Sequence, residues 1–174
     1  MAPASKNNSN KSGSKQESIR IVGFGNKYRS DDGIGVRIVE ELEKLDFFKD
    51  VEVIDGGTSG TDLIFLIKGC RKIIIIDAID AGQKTGDVVN IRADEISSFI
   101  KKDCRSLSLH DLNLSDILKI VKELKIDADI SIIGIKPESI DFGDRLSPEI
   151  EKKIPLIISM VKKEVEGCKG KNLS

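Results

Sequence analysis

The stretch IVGFGNKYRSDDGIGVR, residues 21–37, decides the fold of this 174-residue chain. It starts as an apolar strand, crosses a polar loop that ends in Asp31 and Asp32, and continues as an amphipathic helix to about Lys44. Open α/β sheets bind their ligands at strand–loop–helix turns of this kind. A carboxylate at the start of a helix is also stabilised as the anion by free N–H groups and the helix dipole. Either acid could instead serve only as the N-cap of the helix.

The glycines of this loop do not form a dinucleotide-binding fingerprint. That fingerprint is G-x-G-x-x-G, and its third glycine allows the helix to pack closely. Here Gly23 and Gly25 are followed by Tyr28 at the third position, and two acids stand where a pyrophosphate would bind. The loop therefore favours the presentation of carboxylates over the binding of phosphate.

Strands alternate with helices along the rest of the chain. This pattern predicts a single α/β domain with a twisted, mostly parallel β-sheet flanked by helices on both faces. The four consecutive isoleucines of 73–76 predict a central strand that is buried on both faces, and the short segment 86–91 is predicted to be an edge strand. The predicted strands are 18–23, 51–55, 72–77, 86–91 and 129–135, and the predicted helices are 32–44, 61–68, 93–100, 112–124 and 147–165. Ser147 is expected to cap the last helix, with Pro148 at its first position.

Composition limits the class of protein. Residues 1–17 are polar and are predicted to be a disordered tail without the apolar core of a secretory signal; residues 18–166 form the domain, and 167–174 are expected to fray. The net charge is −1 with both signs mixed, which argues against a nucleic-acid partner. No apolar run approaches the ~20 residues that cross a membrane. Three cysteines without a CxxC motif indicate ordinary thiols and a cytoplasmic protein.

Two further residues are candidates for chemistry. Asp77 directly follows the isoleucine run, where a buried carboxylate is costly unless a cation or a donor compensates it, although it could simply bond the neighbouring loop. His110 is the only histidine of the chain and is either a structural or surface residue or a neutral nitrogen ligand. Asp32, Asp77 and His110 would form a set of two oxygens and one nitrogen that suits zinc, nickel or iron.

Taken together, these motifs resemble the hydrogenase maturation endopeptidases, which process the large subunit of nickel-iron hydrogenases. The G-x-G-N…D-[DE]-x-x-G block is specific in combination with the D-G-G-T loop. The resemblance implies a twisted, mostly parallel sheet flanked by helices, in agreement with the predicted fold class. The matching segments are GFGNKYRSDDGIGVR (23–37), VIDGGTSG (53–60), IIIIDAIDAG (73–82), SLHDLNLSDIL (108–118) and IGIKPESIDFGDRLSP (133–148).

The resemblance also implies a site and a reaction. In the family, an acid of the first loop, an aspartate after the central strand and a histidine before a helix contact the nickel of the substrate; these positions are Asp32, Asp77 and His110. The implied enzyme is an aspartyl-type endopeptidase that removes the C-terminal extension of a hydrogenase large-subunit precursor after nickel insertion. Asp32 and Asp77 are its candidate catalytic acids, the nickel is carried by the precursor, and no organic cofactor is needed. We expect a monomer.

The loop 56–58 and the reaction class each leave alternatives open. Gly56, Gly57 and Thr58 could supply backbone donors near the scissile bond, or they could form only a turn. The attacking group could be a water activated by an acid or by the metal. The chain could instead be another hydrolase with a permanently bound zinc, or a nickel and precursor chaperone without enzymatic activity.

Overall fold

The computed structural model describes residues 18–58, 60–92, 95, 108–109, 112–113, 119 and 122–169. The strands assigned there are β1 (Ile19–Phe24), β2 (Glu52–Gly57), β3 (Lys72–Ala78), β4 (Val88–Arg92), β5 (Ser108–Leu109), β6 (Leu112–Asn113) and β7 (Asp129–Ile135). The α-helices are α1 (Ile34–Leu42), α2 (Leu63–Ile67), α3 (Pro148–Glu151) and α4 (Ile154–Lys169). Short 3-10 turns lie at Ser30–Gly33, Asp46–Phe48 and Gly60–Asp62.

The main sheet has five strands in the order β2-β1-β3-β7-β4. Its first four strands are parallel, and only the edge strand β4 pairs antiparallel, with β7. The predicted mostly parallel sheet, its buried central strand and its short edge strand are therefore confirmed. The carboxyl ends of β1, β2, β3 and β7 all meet at one edge of the sheet, which we call the carboxyl edge.

Helices cover both faces of the sheet. The side chains of β3 point alternately to the two faces, so they pack against the helices on each side. Ile73 and Ile75 pack in the core layer that includes helix α2, whereas Ile74 and Ile76 pack in the layer that includes helices α1 and α4. All four isoleucines are buried. No helix in the described ranges is long and apolar enough to cross a bilayer.

Some helix predictions were wrong at their boundaries. The predicted continuous helix 147–165 is divided into α3 and α4. Ser147 does occupy the N-cap position with Pro148 after it, but the Ser147 hydroxyl makes no capping hydrogen bond and donates to Asp31 instead. The predicted helix 112–124 was wrong at its start, because Leu112–Asn113 form strand β6 and pair antiparallel with β5; residues 119, 122 and 123 are helical, and the rest of that segment, apart from residue 124, lies outside the described residues. The predicted helix 93–100, apart from residue 95, and both predicted tails, apart from residues 167–169, lie outside the described residues.

A buried ion-pair network closes the opposite, amino-terminal edge of the sheet. The Lys72 ammonium is 2% exposed and lies 2.9 Å from the Asp129 carboxylate and 2.6 Å from the Glu164 carboxylate. Asn90 and Ser131 also donate hydrogen bonds to Glu164. Burial alone would raise the pKa of Glu164, but the hydrogen bond from Lys72 and those from Asn90 and Ser131 outweigh burial and hold it below its usual value. The network ties α4 to β3, β4 and β7.

This network predicts an acid-dependent part of the stability. Because the pKa of Glu164 is lower in the folded state, its contribution is complete above the usual value of 4.5 and is lost as the pH falls through the folded-state pKa. We expect Glu164→Gln to lower the free energy of unfolding at pH 7 and to flatten its decline below pH 4.5, measured by urea unfolding. Glu166→Gln, at an exposed position of the same helix, is the matched control. An equal loss in both variants would contradict the prediction.

Candidate active site

Asp32 lies at the carboxyl edge, in the loop between β1 and α1. It belongs to the 3-10 turn Ser30–Gly33, which contacts β3. The Asp32 side chain does not cap α1: the N-cap is Gly33, and no side chain makes a capping bond there. Instead, the Asp32 carboxylate accepts a hydrogen bond of 3.0 Å from the backbone N–H of Asn26. The capping alternative is therefore wrong for Asp32. The residue is half-buried in the loop.

Asp77 lies at the same edge, at the end of the buried strand β3. Its side chain is 0% exposed, and its Oδ1 atom accepts a hydrogen bond of 2.8 Å from the backbone N–H of Ala78. The first turn of α1 rests directly on this part of the sheet, since a Cβ atom on Gly35 would collide with the carbonyl oxygens of Phe24 and Ile76. This close approach places the Asp32 turn beside strand β3, which carries Asp77 next to its last residue. The structure thus brings the two predicted acids to one edge.

The third predicted ligand, His110, lies outside the described residues. It stands in the sequence between β5 and β6, and its role as a ligand stays a prediction. Within the described ranges, no group of three histidine, cysteine, aspartate or glutamate side chains is arranged to hold a metal ion. Two of the three predicted nickel-contacting residues are therefore placed, and the set as a whole stays a prediction.

The predicted substrate-binding loop 56–58 lies at the end of β2. The Gly57 carbonyl accepts a hydrogen bond of 2.9 Å from the backbone N–H of Gly25, which ties this loop to the Asp32 loop. The Gly57 N–H is donated to the Asp55 carboxylate, so this donor already has an acceptor. Gly56 is half-buried and Thr58 is exposed. The loop is well placed at the carboxyl edge, and its contact with substrate stays a prediction.

Asp31 has a role that the sequence did not reveal, since the local pattern indicates it only as a possible cap of the helix. Its side chain is 0% exposed and accepts hydrogen bonds from the backbone N–H groups of Glu138, Ser139 and Ser147, at 2.9, 2.9 and 2.6 Å. The Ser147 hydroxyl donates a fourth bond of 2.8 Å. Asp31 therefore fastens the loop after β7 to the loop after β1, while its neighbour Asp32 turns towards Asn26. Of the two neighbouring acids, Asp31 is therefore structural and Asp32 is the candidate site residue.

Asp31→Asn should be strongly destabilising. An amide has one accepting oxygen and would point its own N–H groups at donors, so buried donors would lose their acceptor. We expect the free energy of unfolding to fall by about 3 kcal/mol, measured by urea denaturation. Asp144→Asn, at an exposed position in the same region, should change it by less than about 0.5 kcal/mol. Equal stability of the two variants would contradict the anchoring role.

The described cysteines do not supply a nucleophile. Burial raises the pKa of the Cys70 thiol and that of the Cys168 thiol, which lowers the fraction of reactive thiolate. Both thiols are free. Cys104 lies outside the described residues. For Cys70 and Cys168, the structure agrees with the prediction of ordinary thiols.

Known proteins show a consistent similarity to this chain. A family model described as hydrogenase maturation protease matches residues 36–164. The hydrogenase 2 maturation protease of Escherichia coli is 32% identical over 146 residues, covering 82% of this chain and 87% of that protein. The hydrogenase expression/formation protein HupD of Thiocapsa roseopersicina is 30% identical over 145 residues, covering 82% of this chain but 65% of that longer protein. The structure of the [NiFe] hydrogenase maturation protease HybD from Thermococcus kodakarensis superimposes with a TM-score of 0.67 at 30% identity, covering 84% and 97% of the two chains.

Proposed function

Because the chain belongs to the hydrogenase maturation protease family, a family of hydrolases, we propose that it removes the C-terminal extension of a nickel-iron hydrogenase large-subunit precursor. The observation that carries this proposal is the placement of Asp32 and Asp77 at one edge of the sheet, where open α/β folds bind ligands. Asp77 is fully buried and Asp32 is half-buried, so the two carboxylates differ in their access to solvent.

The buried carboxylate supports nickel-dependent recognition of the precursor. A negative charge inside a protein is costly unless a cation or donors compensate it. A nickel ion held by the precursor would bring positive charge to Asp77 and Asp32, whereas an empty precursor would bring none. His110 would add a neutral nitrogen, which nickel accepts readily. The loaded precursor would therefore bind more tightly than the empty one, and metal binding would select the substrate.

The different exposure of the two acids suggests different roles in cleavage. Asp32, half-buried on a loop, can reach a water molecule or the peptide, and a carboxylate there can act as a general base. Asp77, which accepts a hydrogen bond from the N–H of Ala78 on a central strand, is held in a fixed position from which its carboxylate would face the nickel. Two carboxylates in different environments commonly take different roles in one active site. Proteolysis would then be of the aspartyl type, with Asp32 activating water.

The mass of the precursor tests this function. The purified chain is incubated with nickel-loaded precursor, and the products are weighed by mass spectrometry. Cleavage at one C-terminal position, without stoichiometric zinc in the purified chain, is the expected result. An unchanged precursor mass would favour a binding chaperone, and one bound zinc per chain would favour a zinc hydrolase. Free, buried thiols at Cys70 and Cys168 fit a reducing compartment, so we also propose that the reaction takes place in the cytoplasm.

A further inference from the structure

Three large apolar side chains are exposed on two hydrogen-bonded loops beside the candidate active site. Phe142 is 93% exposed, Tyr28 is 63% exposed and Ile140 is 48% exposed. Tyr28 belongs to the loop after β1, and the other two belong to the loop after β7. We call these three residues the apolar platform. Exposing an aromatic ring to water gains nothing for folding, so a platform of this kind indicates a contact with another molecule.

The platform is held in place by hydrogen bonds between its two loops. The Gly143 N–H donates to the Tyr28 carbonyl at 3.0 Å, and the Arg29 guanidinium donates to the Ile140 carbonyl at 3.2 Å. Ser30, which has a left-handed φ of 49°, bonds the Gly143 carbonyl through its N–H and the Asp141 carbonyl through its hydroxyl. The backbone that carries the three side chains is thus held in one arrangement, which lowers the entropy cost of ordering the two loops on binding.

The platform is continuous with the candidate active site. The Asn26 side chain accepts a hydrogen bond from the Tyr28 N–H, while the Asn26 N–H donates to the Asp32 carboxylate, both at 3.0 Å. Tyr28 and Asp32 are four residues apart, so their Cα atoms are separated by at most about 14 Å. An extended polypeptide covers that distance in about four residues. A chain whose scissile bond lies at Asp32 therefore has residues within reach of the platform.

We propose that the apolar platform binds an apolar segment of the precursor polypeptide, within about four residues of the cleaved bond. This inference rests on the proposed function, because it takes the position of the scissile bond from Asp32. The Lys27 ammonium lies 5.8 Å from the centre of the Tyr28 ring. Arg29 and Asp141 belong to the same two loops, so charges of both signs stand beside the platform. Its apolar area is the feature that selects the segment.

Steady-state cleavage of the nickel-loaded precursor by the full chain tests the platform. The double variant Tyr28→Ser/Phe142→Ser should raise KM about tenfold, equivalent to about 1.4 kcal/mol, and leave kcat and the melting temperature unchanged. Phe142→Ser alone should shift KM in the same direction. The matched control is Phe65→Ser. The Phe65 ring is 72% exposed on α2. This helix leads to the amino-terminal edge of the sheet, where Arg20 donates a hydrogen bond to the Leu66 carbonyl. This control should leave KM unchanged.

Each other outcome overturns the proposal in a distinguishable way. If the wild type cleaves and the double variant keeps the wild-type KM, the platform does not bind the precursor, while the proposed function stands. An equal rise of KM in Phe65→Ser would show a general surface effect. Sedimentation of the wild type as a dimer and of the double variant as a monomer would assign the platform to a second copy of the chain. No cleavage by the wild type would remove the proposed function and the platform's substrate together.

Discussion

Asp77→Asn is expected to fold normally and to lose cleavage of the nickel-loaded precursor, with the rate falling about a hundredfold or more. The amide keeps the size of the side chain, and its oxygen can still accept the hydrogen bond from Ala78. What disappears is the negative charge at the end of β3, which is the feature we propose to face nickel. Single-turnover cleavage, with a melting curve for the same preparation, measures both consequences.

Asp80→Asn is the control for this variant. Asp80 lies three residues further along and is 45% exposed, with its carboxylate 3.0 Å from the Lys136 ammonium. The hydrogen bond from Lys136 lowers the pKa of Asp80, so this aspartate is charged at neutral pH, and it pairs with Lys136 and is not one of the proposed site residues. Asp80→Asn should therefore leave the rate of cleavage unchanged. If Asp77→Asn unfolds the chain, the structural role of the carboxylate dominates; if it cleaves at the wild-type rate, Asp77 is not part of the site.

His110→Ala should also abolish cleavage, because the chain has no second histidine to replace it. An imidazole that binds nickel must be neutral, so binding of the loaded precursor by the wild type should weaken as the pH falls below about 6.5. The alanine variant should bind weakly at every pH and show no such dependence. Titration of precursor binding between pH 5.5 and pH 8, about a unit or more either side of that midpoint, measures the difference.

A histidine with only a surface role would behave differently. His110→Ala would then cost about 1 kcal/mol or less in stability and leave cleavage and its pH dependence intact. Normal cleavage by a variant that melts like the wild type would remove the nitrogen donor from the proposed set. The oxygen donors Asp32 and Asp77 would then have to select the metal alone.

The sheet could be predicted because its signals are local and periodic. Four consecutive isoleucines leave a strand no polar face, so Ile73–Ile76 had to lie between two layers of helices, and the structure places them there. The helix after the Asp31-Asp32 loop was predictable for the same reason, since Ile34, Ile38 and Leu42 recur on one face. Both predictions depend on the spacing of apolar residues that lie close together in the sequence.

The anchoring role of Asp31 could not be predicted because it depends on distant residues. Asp31 is buried by donors from Glu138, Ser139 and Ser147, more than 100 positions away, and nothing in the local sequence shows which acid turns inward. The same distance explains why Ser147 failed as a side-chain cap: its hydroxyl found a buried carboxylate instead of the helix N–H groups.

Comparison of nickel-loaded and nickel-free precursor is the most direct test of the proposed recognition. Each form is incubated with equal amounts of the wild-type chain, and intact masses are measured over time. We expect the loaded precursor to lose one C-terminal fragment and the nickel-free precursor to keep its full mass, because only the loaded form brings a cation to Asp32 and Asp77. Cleavage of both forms at the same rate would contradict nickel-dependent recognition.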